Sequence, residues 1–331
     1  MATYDIIGDI HGHGDKLKEL LRELGWATDG QGVYAHSDPD HRAIFVGDLI
    51  DRGPNQREVL AIAKDMVDAG RAQVLMGNHE FNAICFATPD PPAPDNFLRP
   101  HSGKNCKQHA SFLDQLSDME RAEWVAWFRT LPLWLDLTQH GGPRVVHACW
   151  HQRTIDDLTE IFGGPSFPPG DEMFIRASNS DDVVHAAIEI LLKGPEIDLG
   201  PYGIPDFVDH GGHTRHRARV QWWKSDATTI GELTELKDLK RADGKKYGSE
   251  HLAKPAEGDD LEYAYTEDIA VIFGHHWREW KPGHGEDFTD HTACVDFSAG
   301  KKGPLVAYRW TGSDPTARID KDSFVRSGEH H

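Results

Sequence analysis

The chain has 331 residues, 38% of them hydrophobic and 27% charged, which is enough for a sizeable core in one or two domains. Its formal net charge of −19 sets the surface against duplex nucleic acid and anionic membranes. It does not exclude a small phosphorylated substrate, because bound divalent cations reverse the sign locally. No apolar run approaches the roughly 20 residues that span a bilayer. The opening MATYDIIGDIHG lacks the basic-then-apolar pattern of a secretory signal, so a cytoplasmic protein is expected. Four cysteines, Cys85, Cys106, Cys149 and Cys294, form no C-x-x-C pair and are expected to be reduced thiols. The terminal GEHH is set aside as a candidate tag remnant.

In chain order, residues 4–7 read as a short buried strand ending in Gly-Asp. Residues 16–24 follow as a helix, with Leu17, Leu20, Leu21 and Leu24 at helical spacing. Residues 43–46 repeat the strand and the Gly-Asp ending. Residues 57–69 read as a helix with Val59, Leu60, Ala63, Met66 and Val67 on one face. Residues 73–76 form a third strand, ending in Gly-Asn-His-Glu. Three successive units of strand, motif and helix predict an α/β fold with its site at the strand ends. A proline-dense loop is expected over 88–101. One helix is expected over 111–128, with Trp124, Trp127 and Phe128 in the core. Residues 144–146 read as a fourth strand and 186–192 as a helix. Residues 204–220 read as a loop or hairpin, 219–224 as a strand and 237–260 as a charged, mobile loop. Residues 270–273, 293–297 and 305–310 close the chain as short antiparallel strands finishing a second sheet.

The strand ends carry the chemistry. In GDIHG, Asp9 and His11 are two apart, so on an extended backbone they point the same way. In GDLIDRG, Asp48 follows a strand and can bridge two cations. Arg52 offers a planar fork of donors suited to a phosphoryl group. In GNHE, the Asn78 carbonyl oxygen suits a hard cation. His79 faces away from it, as a proton donor would, with Asp51 as the natural partner to hold its tautomer. Glu80 is expected to cap the next helix or brace the loop. VVHA and FGHH each end an apolar strand in histidine. That supplies His147 and His275, the latter preferred over His276 because it directly follows Gly274.

GDIHG, GDLIDRG, GNHE, VHA and FGH, in that order from residue 8 to 276, resemble the phosphoprotein phosphatase family of calcineurin-like metallophosphoesterases, in its bacterial form. The resemblance implies a mixed α/β (α+β) fold, the four-layer αββα sandwich with two mixed β-sheets. It also implies a single domain over 1–331, with insert segments at 86–120 and 155–265. One metal would take Asp9, His11 and Asp48, and the other Asp48, Asn78, His147 and His275. Two divalent cations follow, manganese first, with iron or zinc also compatible with oxygen and imidazole donors. Activated hydroxide would attack phosphorus, with Arg52, Asn78 and a second arginine binding the phosphoryl oxygens. His79 would protonate the leaving oxygen, and Asp51 would orient it. For the second arginine Arg176, Arg215, Arg217 and Arg219 compete, with Lys224 as an outsider; Arg219 is preferred. Cys149 stands where such enzymes commonly have glycine, beside the second metal. Asn105, Gln108 and His109 could reach a substrate but are expected to be solvated helix positions.

The leading expectation is a serine/threonine phosphoprotein phosphatase-like phosphomonoesterase. The alternatives are a diadenosine tetraphosphate hydrolase and a nucleotide phosphodiesterase. The substrate is therefore a phosphoprotein, a small phosphoester or a dinucleoside polyphosphate. A non-enzymatic scaffold is disfavoured, because neither the ligand set nor His79 is broken.

Overall fold

The computed structural model describes residues 3–209, 212–281 and 288–328, so of the terminal GEHH only Gly328 is described. The chain divides into two compact units. The first comprises the described residues of Met1–Lys193 and Asp268–His331; the second comprises those of Gly194–Glu267.

The first unit is built on two sheets. Their strands are β1 (Thr3–Ile7), β2 (His41–Phe45), β3 (Ala72–Val74), β4 (Trp134–Asp136), β5 (Arg144–Val146), β6 (Val271–Phe273), β7 (Thr292–Cys294), β8 (Val306–Trp310) and β9 (Phe324–Arg326). One sheet has the order β9-β8-β1-β2-β3 and the other β7-β6-β5-β4. Both are mixed. β1, β2 and β3 run parallel while β8 and β9 are antiparallel. β5, β6 and β7 run parallel while β4 is antiparallel. Side chains from both sheets form one buried cluster, including Ile6, Ile44, Val145, Ile272, Ala293 and Tyr308. The two faces therefore pack on each other, as the resemblance implied.

Helices α1 (Gly14–Glu23), α2 (Gln56–Asp68) and α3 (Asn78–Ala87) follow β1, β2 and β3. Their apolar spacing places them. Leu17, Leu20, Leu21 and Leu24 are buried, as are Val59, Leu60, Ala63 and Met66, while Val67 is half-buried. Each fully buried leucine contributes about 1.5–3 kcal/mol before chain entropy is counted.

Several expectations are corrected. The proline-dense stretch contains a short antiparallel pair, Pro89–Asp90 with Ala93–Phe97. The single helix expected over 111–128 is two. After α4 (Gly103–Gln108) come α5 (Ala110–Gln115) and α6 (Asp118–Phe128). The break is local chemistry: Ser117 Oγ accepts from Glu120 N–H, and the Glu120 carboxylate reaches back to Ser117 N–H, a reciprocal cap that starts a new helix. Phe128 is buried, but Trp124 and Trp127 are only half-buried. The closing strands do not share a sheet: β6 and β7 pair parallel in one, and β8 pairs antiparallel with β1 in the other.

Helices Gln152–Phe162, Glu172–Ser178 and Val183–Lys193 belong to the first unit. In the second unit, Phe207–Val208 pairs with Thr214–Arg215, and Arg217–Arg219 pairs with Glu196–Asp198. The strand expected over 219–224 thus ends at Arg219, and Trp222 and Trp223 are buried beyond it. The stretch expected to be mobile holds strand Lys240–Arg241 and helix Ser249–Leu252. Among the described residues, no helix is long and apolar enough to cross a membrane. The four cysteines are free thiols.

Candidate metal centre

The loops leaving β1 and β2 are stitched together by backbone bonds. Ile10 and His11 N–H donate to the Asp48 carbonyl at 3.2 and 2.8 Å, and Gly12 N–H donates to Leu49 at 2.7 Å. Gly47 sits at φ +104, and a Cβ there would lie 2.5 Å from Gly77 N, so only glycine lets the β2 and β3 loops close up. Six non-glycine described residues have positive φ. Five of them are His11, Asp48, Asp51, Arg52 and His275, and the sixth is Ser298. Left-handed backbone costs an L-residue on the order of 1 kcal/mol or more. Its concentration on the five residues named from sequence marks a site held by its surroundings.

Two groups of side chains converge, each with ligand atoms within 4.8 Å of one another: His11, Asp48 and His79, and Asp48, His147 and His275. Asp48 belongs to both. His147 Nδ1 lies 2.8 Å from the Val46 carbonyl, which can only accept, so the proton sits on Nδ1. Its Nε2 is then a lone pair, and it faces Asn78 Oδ1 at 3.2 Å and Asp48 Oδ1 at 3.5 Å. Three acceptors converge, an arrangement that a cation resolves. His11 repeats the pattern, with Nδ1 3.0 Å from the Ile50 carbonyl and Nε2 3.6 Å from Asp48 Oδ2. Burial and the neighbouring His79 charge bring His11 down to about 3, and burial also lowers His147. Both imidazoles are thus neutral, the form that binds metal, with the other nitrogen oriented by a carbonyl. The residues present fit a dinuclear centre.

Asp9 is buried but lies outside both groups; its two carboxylate oxygens each accept from His275 N–H at 3.2 Å. Burial, then the charges of Asp296 and Asp48, hold its carboxyl well above the usual range. Asp296 was not anticipated. It follows β7, is buried, accepts from Ser298 N–H at 2.9 Å and is pushed up to about 6, chiefly by burial. Its place after a strand, like Asp9 and Asp48, was the available signal. Desolvated carboxylates crowded together favour a nearby cation. His275 and His276 separate by geometry: His275 joins the Asp48 group, while His276 Nε2 donates to the Ala148 carbonyl at 3.2 Å.

His79 differs from the other imidazoles. Its Nδ1 lies 2.5 Å from Asp51 Oδ2, and its Nε2 is 3.8 Å from Asp48 Oδ2. Burial alone would lower its pKa; the Asp48 and Asp51 carboxylates outweigh burial and raise it. Asp51 is itself held below the usual carboxylate range despite burial, by hydrogen bonds from His109 and His79. His109 is therefore not a solvated helix position: it is buried and sits 2.7 Å from Asp51 Oδ1. Glu80 braces the loops, as expected. Its Oε2 accepts from Asp48 N–H and Gly77 N–H at 2.8 and 2.9 Å, and its Oε1 accepts from Leu49 N–H at 2.9 Å. Arg52 is exposed, with its side chain against Gly300.

The arginine candidates are dispersed. Arg176 is paired with Asp182 at 2.9 Å. Arg215 pairs with Asp209, and Arg217 donates to the Glu196 carbonyl; both belong to the second unit. Arg219 is half-buried at the end of strand Arg217–Arg219 in that unit, opposite Glu196. Cys149 is a fully buried thiol whose pKa is raised by burial. Asn105 and Gln108 lie on α4, and Gln108 Oε1 accepts from Arg99.

Comparison with known proteins places the chain in a family. The chain is 47% identical over 77 residues to bis(5'-nucleosyl)-tetraphosphatase PrpE (asymmetrical) of Halalkalibacterium halodurans, covering 23% of this chain and 30% of that protein. It is 30% identical over 150 residues to the protein of that name from Bacillus velezensis, covering 44% of this chain and 56% of that one. The matches thus span between about a third and just over half of these relatives. A solved serine/threonine phosphatase from Saccharomyces cerevisiae overlays 100% of this chain and 81% of its own, at 14% identity and a TM-score of 0.44. The model of the calcineurin-like phosphoesterases matches residues 2–187, more than half the chain. The protein belongs to the calcineurin-like phosphoesterase family, metal-dependent hydrolases with a dinuclear centre.

Proposed function

We propose that this protein hydrolyses dinucleoside polyphosphates, with water attacking one phosphorus and the phosphoanhydride oxygen leaving. The observation that carries the hydrolytic reading is the convergence of His11, His147, Asn78 and Asp48 acceptor atoms beside the His79–Asp51 pair. The bis(5'-nucleosyl)-tetraphosphatase names of the relatives support the substrate class over the phosphomonoesterase expected first. When bound, two divalent cations supply Lewis acidity and lower the pKa of water.

The chain's own residues do the rest. Asp9, His11, Asp48, Asn78, His147 and His275 would hold the cations, Asp48 being common to both groups of converging side chains. Arg52 presents its guanidinium to the phosphoryl oxygens, joined by the Asn78 amide. Asp51 keeps the His79 Nδ1 proton in place, so that Nε2–H gives its proton to the departing oxygen.

One observation favours the phosphomonoesterase as a second reading. A fully built acid matters most for a basic alkoxide leaving group and least for a departing nucleotide phosphate, which is already a stable anion. A hydrolysis panel in manganese decides between them, using diadenosine tetraphosphate, a phosphoserine peptide, 4-nitrophenyl phosphate and 2′,3′-cyclic AMP. The expected result is the highest kcat/KM for diadenosine tetraphosphate, by about tenfold or more. A phosphopeptide ranked first would replace the substrate class, and no hydrolysis of any member would remove the enzymatic reading.

A further inference from the structure

We propose that His109 is a positioning residue for the acid His79, acting through Asp51. This rests on the reading of His79 as the proton donor. The two oxygens of Asp51 are divided between two histidines: Oδ2 meets His79 Nδ1 at 2.5 Å, and Oδ1 meets His109 Nδ1 at 2.7 Å. An ionised carboxylate only accepts, so both imidazoles donate through Nδ1. The Asp51 backbone is already fixed, because its N–H donates to Gln56 Oε1 at 2.8 Å and its carbonyl accepts from Gln56 Nε2 at 3.1 Å. Rotation of the carboxylate is the freedom left, and the second hydrogen bond removes it. Any twist that moved Oδ2 off His79 would also strip Oδ1 from a buried donor, at the cost of leaving both unsatisfied.

His109 is itself held. It lies at the junction of α4 and α5, with its ring stacked on Phe112 at 4.7 Å and against Phe86 at 5.3 Å. Its neighbour Gln108 accepts from Arg99, which also donates to Asn82 on α3, both at 2.9 Å. The helix that carries His79 is thereby tied to the turn that carries His109. The same segment reaches the two following loop residues. Ser111 Oγ donates to the Arg52 carbonyl at 3.1 Å, and Gln115 Nε2 donates to the Gly53 carbonyl at 3.0 Å. Residues 109–115 thus clasp Asp51, Arg52 and Gly53 in order. A core histidine kept for packing alone would need only the aromatic contacts; this one spends its donor on the partner of the acid.

The test uses the full chain loaded with zinc, with metal content and Tm recorded for each variant. His109→Phe keeps the aromatic filling and removes the donor. His109→Asn restores an N–H donor near the Nδ1 position. With diadenosine tetraphosphate and with phenyl phosphate, His109→Phe should lower kcat about 10–100-fold at unchanged KM and two zinc ions per chain. His109→Asn should recover most of that loss. His79→Asn combined with His109→Phe should be no slower than His79→Asn alone, because the residues act as one unit.

In ¹⁵N-histidine NMR the wild type should show exchange-protected, downfield Nδ1–H protons for both His79 and His109, beside the carbonyl-bonded Nδ1–H protons of His11 and His147. His109→Phe should lose the His109 proton and shift the His79 proton. Unchanged kcat in His109→Phe, an additive double variant, an unshifted His79 proton, or His109→Asn as slow as His109→Phe would each overturn the proposal. Full activity in His79→Asn would instead remove the acid reading itself, whereas a slow His79→Asn beside a fully active His109→Phe removes only His109.

Discussion

Of the four imidazoles around Asp48, three have nearly the same burial: His11 and His79 are 2% exposed and His147 is fully buried. The region around His11 and His147 and the region around His79 differ in what faces Nδ1. For His11 and His147 it is a backbone carbonyl, and for His79 it is the Asp51 carboxylate. A carbonyl fixes the tautomer without adding charge, so burial wins and the ring stays a neutral lone-pair donor. A carboxylate adds a full charge, which outweighs burial and favours the imidazolium. The same residue type is thus suited to ligate in one half and, on the proposed function, to donate a proton in the other, and the difference is electrostatic.

Substitutions on the two sides of Asp48 break this comparison most sharply. Asp48→Asn removes the charge shared by both ligand groups, so activity should fall on the order of 10⁴-fold and metal content below two ions per chain; mass spectrometry of dialysed protein with a turnover assay reads both. Retained stoichiometry would contradict the shared position of Asp48. Asp51→Asn acts only on the acid half. Turnover should fall about 10²–10⁴-fold with two metals still bound. Metal loss in that variant would make His79 a ligand and erase the distinction.

The smallest effect comes from a buried carboxylate outside the site. Asp5, on β1, is fully buried; burial alone would raise its pKa, but hydrogen bonds from His41, Arg309 and Trp26 lower it below 3.8. Because the folded pKa is depressed, Asp5 stabilises the protein above the unfolded value and loses that contribution as pH falls through the folded one. Asp5→Asn should cost about 1–3 kcal/mol near neutrality and narrow towards the wild type below pH 3.8. Tm measured from pH 7 down to 3 would show this, and a difference constant across the range would rule the linkage out.

Much of the site was legible because its residues end strands. A Gly-Asp or Gly-Asn after an apolar run forces the next side chain out at the sheet edge. That is why Asp9, Asp48 and Asn78 could be read locally, and His147 and His275 from their order behind them. Asp296 carried the same signal without a glycine and was missed. His109 carried no signal at all: it lies at a helix junction 58 residues from Asp51, and helical spacing alone assigned it to solvent. The sheet pairing of the closing strands was misread for a related reason. Periodicity marks β6, β7 and β8 as strands but says nothing of which edge each will join.

The sequence by itself determined the candidate ligand residues, the turns that present them and the helices that follow, because each depends on neighbours within a few residues. Only the tertiary structure decided that His11 and His147 face backbone carbonyls, and that residues 109–115 close over Asp51. Those partners come from distant segments, and their hydrogen bonds exist only once the sheets have packed and water has left the loops between them.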